Sequence, residues 1–285
     1  MKKYLALTSL ILAVLLSGQA LEAQVISVKE LSGLLDSGDV VLVSARKTAD
    51  YKKVHIPGAI NLWHQDFYKE GDIKAVLKSP DEIAAILGSK GICGTKTVVI
   101  YDNGDNKFAG RIYWILKYMG CSDVRVLDGH MKMWRKGRKP VTKDPVEVAA
   151  VEFKGTVNPA AITTMEQVKA KQGDPGTVII DNRDKEEFDG EKGALERKGH
   201  IPGAINFNYK EIVNEDGTIK DKAEIEKLVS GAGITADKAA ILYCETAIRA
   251  GIVYMALTSI LEYPNVSVYD GAMMEWISVA DNPVE

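Results

Sequence analysis

The segment His55-Ile-Pro-Gly-Ala-Ile-Asn61 returns letter for letter as His200-Ile-Pro-Gly-Ala-Ile-Asn206. Two further pairs follow in the same order. Lys96-Thr-Val-Val-Ile-Tyr101 is answered by Lys238-Ala-Ala-Ile-Leu-Tyr243, and Leu127-Asp-Gly-His-Met-Lys-Met-Trp134 by Tyr269-Asp-Gly-Ala-Met-Met-Glu-Trp276. The offsets are 145, 142 and 142 residues. Three matches in register mean a duplicated unit. The period is far longer than that of a solenoid, so each copy is expected to be a globular domain.

Working outward from the repeats, short β-branched runs alternate with helical patterns. In the first copy Val40 to Val43, Thr97 to Tyr101 and Val124 to Leu127 read as strands, and Ser79 to Leu87 and Phe108 to Met119 as helices. In the second, Thr177 to Ile180, Ala239 to Tyr243 and Val266 to Tyr269 read as strands, with helices over Ala223 to Val229 and Ala247 to Ser259. This alternation predicts an α/β fold: in each copy a mostly parallel sheet with helices on both faces. Pro140 to Asn158, with Lys139-Pro140 and Asp144-Pro145, reads as a connection without regular structure. The expected organisation is domains at 24–140 and 159–285 joined by a linker at 141–158.

Composition agrees with two packed domains. The chain has 285 residues, 46% hydrophobic and 26% charged, with a formal charge of −3. Length over ~150 residues per domain gives about two. The balance excludes a disordered chain, and it lacks the basic excess a nucleic-acid binder needs to neutralise phosphates. Three cysteines are too few for a disulfide scaffold. Residues 1–23 read as a secretory signal: Lys2 and Lys3, an apolar run from Leu5 to Leu16, then small residues at Ser17, Gly18, Ala20 and Ala23. The run is shorter than the ~20 residues that span a bilayer. The mature chain is therefore expected to be periplasmic or secreted, without stable membrane insertion.

Function is sought where the copies differ. In open parallel sheets ligands sit beyond the carboxyl ends of the strands, which directs attention past Tyr101 and Tyr243. The second copy continues as Cys244-Glu-Thr-Ala-Ile-Arg249, and the first as Asp102-Asn-Gly-Asp-Asn106. A cysteine on a loop that enters a helix faces backbone N–H groups and a positive helix end, which favour the nucleophilic thiolate. Asp102 in the matching place makes the first copy inactive in that chemistry. His55 and His200 read as turn-bracing residues, and no clustered metal-ligand spacing is present.

On these marks, together with Asp181-Asn-Arg183 and the terminal Asp270-Gly-Ala-Met-Met-Glu-Trp276, the chain resembles the tandem rhodanese family, the thiosulfate or 3-mercaptopyruvate sulfurtransferases. The resemblance covers both halves and implies an inactive amino-terminal domain, an active carboxy-terminal one and a site at their interface. It implies that Cys244 carries sulfur as a persulfide, cradled by the backbone of Glu245, Thr246, Ala247, Ile248 and Arg249. Arg183 would meet the donor anion, with Asp181 orienting it and His200 in support. Sixteen residues separate Arg183 from His200 against eight between Arg46 and His55. The extra loop offers Arg197 as a second anion-binding candidate. No metal or organic cofactor is implied. The partners would be a small anionic sulfur donor and a thiol or cyanide acceptor.

Three matters stay open at this level. The acidic Glu245, and Ala247 where glycine is usual, leave the donor undetermined between thiosulfate and 3-mercaptopyruvate. A non-catalytic carrier or sensor of sulfane sulfur is an alternative. A phosphatase is a further one, although four residues between Cys244 and Arg249 make a cradle tighter than phosphatases use. Cys93 and Cys121 fall at the far edge of the first domain, where a disulfide between them is a possible pairing in an exported chain.

Overall fold

The computed structural model describes residues 24–38 and 40–285; the segment read as an export signal, 1–23, lies outside them. The first half runs β1 (Val25–Ile26), α1 (Val28–Ser37), β2 (Val40–Ser44), α2 (Thr48–Lys53), β3 (Ile60–Asn61), α3 (Pro80–Ser89), β4 (Thr97–Tyr101), α4 (Lys107–Tyr118), β5 (Val124–Leu127) and α5 (His130–Lys136). The second runs β6 (Ile162–Thr163), α6 (Met165–Lys171), β7 (Thr177–Asp181), α7 (Lys185–Phe188), β8 (Ile205–Asn206), α8 (Lys222–Gly231), β9 (Ala239–Tyr243), α9 (Ala250–Met255), β10 (Val266–Tyr269) and α10 (Ala272–Ser278). Each half forms a five-stranded parallel sheet, β1-β5-β4-β2-β3 and β6-β10-β9-β7-β8. The central strands are buried on both faces, which is why β4 and β9 read as continuous apolar runs.

Local chemistry marks the helix ends. Ser27 with Glu30, Ser79 with Glu82 and Thr164 with Gln167 form reciprocal capping boxes, and Pro80 opens α3 at a position that needs no N–H. The strands that periodicity missed, β1, β3, β6 and β8, have two residues each, too few to show a period.

The repeated heptapeptide is a turn and an edge strand in which nearly every residue is used. The Ala59 N–H donates to the Ile56 carbonyl at 3.1 Å across Gly58 (φ 78°), and the Ala204 N–H to Ile201 at 3.0 Å across Gly203 (φ 76°). Glycine is required there because other residues resist positive φ. The Ile56 and Ile201 N–H groups each donate to a tyrosine hydroxyl, of Tyr101 and Tyr243, at 3.1 Å. Asn61 donates from Nδ2 to the carbonyls of Ser44 and Arg46, both at 2.9 Å, and Asn206 to those of Asp181 and Arg183 at 3.1 and 3.0 Å. The motif thus ties the edge strand to the loop that leaves the neighbouring strand, once in each sheet.

The halves meet through α4 and α9. A Cβ on Gly110 would stand 2.4 Å from the Ile252 nitrogen, and one on Gly251 2.3 Å from the Gly110 carbonyl oxygen, so only glycines allow this approach. The connection between halves has no helix over residues 138–158, yet it is pinned along the first domain. Val151 N–H donates to Gly88, Lys154 to Cys93 and Asn158 to Tyr118, at 3.0, 2.8 and 2.7 Å.

Two expectations are corrected. The helix read from Ala247 begins at Ala250 and widens into a π turn over Ala256–Ile260, because Ala247 lies in the left-handed region (φ 55°) and cannot continue a helix. The Cys93–Cys121 disulfide is not formed. The two loops do touch, with the Ser122 N–H donating to Gly94 at 3.1 Å. All three cysteines are free, however: Cys93 Sγ lies 3.3 Å from Thr95 Oγ1, and Cys121 is buried. No helix among the described residues is long and apolar enough to cross a membrane.

Candidate functional site

β9 ends at Tyr243 and Cys244 follows at once, 1% exposed. The loop from Cys244 is held by α10: the Met273 and Met274 N–H groups donate to the Cys244 and Glu245 carbonyls, each at 3.1 Å. Ala247 turns the loop through the left-handed region (φ 55°) before Arg249 caps α9. Among the described residues no protein oxygen takes the N–H groups of 245–249. An alanine at φ 55° is held against its own preference by this packing.

The equivalent place in the first half is filled. The Asp102 carboxylate is fully buried and accepts from the N–H groups of Gly104 (2.7 Å), Asn106 (3.4 Å) and Ala109 (3.1 Å). The loop around Gly217 then closes the site from the second domain. Asn106 Nδ2 donates to the Gly217 carbonyl at 3.0 Å, and Gly217 packs so closely on Gly104 that a Cβ would lie 2.6 Å from its oxygen.

The fold's pseudo-symmetry places the corresponding first-half loop over Cys244, but that loop is longer. The pairs Tyr68–Leu77 and Val213–Ile219 close the two loops over eight residues (69–76) and five (214–218). Where the shorter loop plugs the Asp102 site, the longer one encloses a cavity of about 530 Å³. Its wall includes His64, Tyr68, Lys69, Glu70, Ile73 and Lys74 from the first half, with Thr246 and Ile248 from the cysteine loop. His64 Nδ1 and the Tyr68 hydroxyl are 2.5 Å apart. Burial, then the charges of Arg111, Lys107 and Lys47, push the His64 pKa down to about 3, so the ring is neutral at ordinary pH. Burial pushes the Tyr68 phenol up to about 12. Arg111 of α4 crosses from the first half, donating to Asp270 Oδ1 at 2.8 Å and to the Ala75 carbonyl at 2.9 Å. None of His64, Tyr68, Arg111 and Asp270 was singled out for the site from sequence. The pseudo-repeat could have pointed to them, since each domain's loop caps the other's site.

The arginines each have partners within the protein. Arg183 is 2% exposed: Nε and Nη2 meet the Asp181 carboxylate at 3.0 and 2.6 Å, and Nη2 also reaches the Gly199 carbonyl at 2.7 Å. It braces the strand end and the 184–199 loop through Nε and Nη2. Arg197 likewise donates to the carbonyls of Val279 at 3.0 Å and Asn282 at 2.5 Å, clamping the carboxy-terminal turn. Arg183 is thus held by a carboxylate and a carbonyl, and Arg197 by backbone carbonyls. Arg249 closes the cysteine loop and is clamped by Glu187, with Nη1–Oε2 at 2.5 Å and Nη2–Oε1 at 2.9 Å; Glu245 stands 3.8 Å away. Burial opposes its charge, but the Glu187 hydrogen bonds and the charges of Cys244 and Glu187 raise its pKa. Glu187 is a residue sequence reading missed. His200 stacks on Phe188 (centroids 3.6 Å) and bonds its carbonyl through Nδ1 at 2.9 Å, while His55 bridges the carbonyls of Tyr51 and Asp144. Among the described residues no group of three His, Cys, Asp or Glu side chains is placed to hold a metal ion.

Comparison with known proteins matches this geometry. The profile of the Rhodanese-like domain fits twice, over residues 27–137 and 164–278. The 3-mercaptopyruvate sulfurtransferase of Escherichia coli is 30% identical over 268 residues, 88% of this chain and 94% of that protein. A Haloferax volcanii protein named for thiosulfate sulfurtransferase activity is 33% identical over 245 residues, 84% of this chain and 85% of its own. Among solved structures, SseA of E. coli superposes with a TM-score of 0.80 at 28% identity, covering 88% of this chain and 98% of that one. The anaerobic ergothioneine biosynthesis enzyme of Chlorobium limicola, solved with trimethyl histidine, superposes at 0.84 and 26% identity, covering 92% of this chain and 70% of that one.

Proposed function

Since the chain belongs to the rhodanese-like family in both halves and is a sulfurtransferase, we propose that it moves sulfane sulfur through a persulfide on Cys244. The carrying observation is the contrast between the two loops. In the first half the Asp102 carboxylate occupies the N–H groups of its own loop. In the second, the N–H groups of 245–249 surround a buried cysteine with no internal acceptor. Such preorganised donors suit an anion that forms during the reaction, here the outer sulfur of a persulfide.

The steps balance without a cofactor. The Cys244 thiolate attacks the outer sulfur of the donor; a new S–S bond forms, and the donor's bond to that sulfur breaks with its electron pair leaving on the donor. With thiosulfate the leaving group is sulfite. An acceptor nucleophile, cyanide or a thiolate, then attacks the outer sulfur and returns Cys244 to thiolate. With cyanide the product is thiocyanate.

The test is mass analysis of the intact protein after a donor, with and without an acceptor. The expected result is the mass of one sulfur atom added at Cys244, lost on adding cyanide and absent in Cys244→Ser. A Cys244→Ser protein retaining full turnover would overturn the mechanism. A single discharge without turnover under excess donor and acceptor would favour the carrier reading.

A further inference from the structure

The two copies also differ at the ends of β2 and β7. In the second half Asp181 closes β7, paired in register with Asn206, and takes the Arg183 guanidinium at 2.6 Å. Burial and then the Asp181 charge raise the pKa of the neighbouring Tyr243 phenol. In the first half Ser44 closes β2 in the same register, opposite Asn61. The surroundings are otherwise repeated. Arg46 Nη1 donates to the Val54 carbonyl at 2.5 Å, as Arg183 Nη2 does to that of Gly199 at 2.7 Å, and each carbonyl precedes the histidine of the heptapeptide. Tyr101 takes the Ile56 N–H as Tyr243 takes that of Ile201. Only the carboxylate is not repeated. Arg111, Arg125, Arg183 and Arg249 each pair with a carboxylate. Arg46, 7% exposed, pairs with none among the described residues; its Nε donates to the Asn103 amide oxygen at 2.5 Å. Ser44 Oγ is buried without a hydrogen-bond partner. Burial raises the Tyr101 pKa while the Ile56 N–H, Ser44 and the Arg46 charge act to lower it, so all three stand close to that phenol.

We propose that Ser44, Arg46 and Tyr101 form a binding site for a small inorganic monoanion of the halide class, chloride above all. The bound ion does for the first half what the Asp181 carboxylate does for the second: it neutralises the arginine that holds the strand end to the loop before the heptapeptide. The site is structural and independent of the Cys244 reading.

Three observations support it. A guanidinium taken out of water without a counter-charge is costly, and an anion beside it removes that cost. The groups gathered there are donors: a serine hydroxyl, a tyrosine hydroxyl and a guanidinium whose Nη2 donates to no protein group among the described residues. The neighbouring charge has the matching sign. Residues 46–53 carry Arg46, Lys47, Lys52 and Lys53 against Asp50, whereas residues 183–190 carry Arg183 and Lys185 against Asp184, Glu186, Glu187 and Asp189. The second copy thus brings its own anions and the first does not. Size then selects the class. Serine in place of aspartate frees the space of a carboxylate group, enough for a single halide ion and too little for the four oxygens of sulfate or phosphate.

The test is urea unfolding of the whole protein in potassium chloride, bromide or gluconate, each at about 0.3 M so that ionic strength is equal and only the ion that can enter the site differs. Gluconate is too large to enter. The unfolding equilibrium constant is expected to be about tenfold lower in chloride or bromide than in gluconate, which is ~1.4 kcal/mol. Ser44→Asp supplies the carboxylate and Arg46→Gln removes the cation, so in each the chloride and gluconate values are expected to coincide. Bromide soaked into a crystal is expected to give an anomalous-scattering peak between Arg46 and Ser44. Equal stability of the wild type in chloride and gluconate overturns the proposal, and so does a chloride effect that survives in either variant. A bromide peak at Arg46 without chloride-dependent stability means an adventitious ion only, and overturns it as well. Where one variant does not fold, the other and the bromide map decide.

Discussion

Arg111 and Asp270 meet at 2.8 Å across the two halves of the molecule, with side-chain exposures of 0% and 7%. The pair joins α4 of the first half to the turn before α10, and Asp270 also accepts the Leu77 N–H of the first-half loop at 2.8 Å. Arg111 further approaches the Ala247 carbonyl at 3.5 Å. Removing one member leaves a buried charge without its partner, which costs about 3–5 kcal/mol. Asp270→Ala is therefore expected to lower the unfolding free energy by that measure, seen as a lower urea midpoint. It is also expected to reduce turnover of the protein that remains folded. A midpoint unchanged from wild type would refute the role given to the pair.

Ala247 sits at φ 55° with no exposed surface. A left-handed conformation costs a residue with a Cβ roughly 1–2 kcal/mol, whereas glycine adopts it freely at some cost in unfolded-chain entropy. Ala247→Gly is expected to stabilise the protein by up to about 1 kcal/mol, read from denaturant unfolding. Destabilisation would show that the Ala247 methyl contributes more by packing than its backbone loses by strain.

His64 gives a pH dependence with a definite sign. Its native pKa, about 3, lies below the ordinary value of 6.5 because burial and neighbouring cations oppose its charge. Between those two values the unfolded chain binds a proton that the native protein refuses. Stability from this group is complete above about pH 6.5 and is lost as pH falls toward 3, at up to ~1.4 kcal/mol per unit. The slope of unfolding free energy against pH should be smaller in His64→Gln than in wild type across pH 6 to 4. Parallel slopes would count against a neutral, buried ring.

Cys93 and Cys121 differ in reactivity although their loops touch. Hydrogen bonds from Thr95 lower the Cys93 pKa, and that thiol is partly exposed. Burial pushes the Cys121 thiol up to about 12. Because the thiolate is the reactive form, iodoacetamide applied to the native protein should label Cys93 and spare Cys121, as read by peptide mass mapping. Equal labelling would contradict the burial assigned to Cys121.

Much of this was legible along the chain. The heptapeptide at residues 55 and 200 appears twice because its glycine, its asparagine and its backbone N–H groups have the same duties in both sheets. Strands β2, β4, β5, β7, β9 and β10 announce themselves as apolar runs since both faces are covered. The position of Cys244 follows from the end of β9. Residue type alone did not show the partners: Asp181, two residues away, pairs with the Arg183 guanidinium.

The sequence by itself determined the duplication, the parallel α/β architecture, and the cysteine at the end of one central strand where the other copy has an aspartate. Those features rest on periodicity, turn conformation and residue identity, which act over a few neighbouring positions. Only the tertiary structure decided which groups face the cysteine and which charges are left to meet a donor. Glu187 and Arg249 are 62 residues apart, and Arg111 and Asp270 are 159 apart. The second pair meets across the halves, which approach closely at Gly110 and Gly251. Coulomb and hydrogen-bond energies depend on distances of a few ångströms, and packing of the whole chain sets those distances.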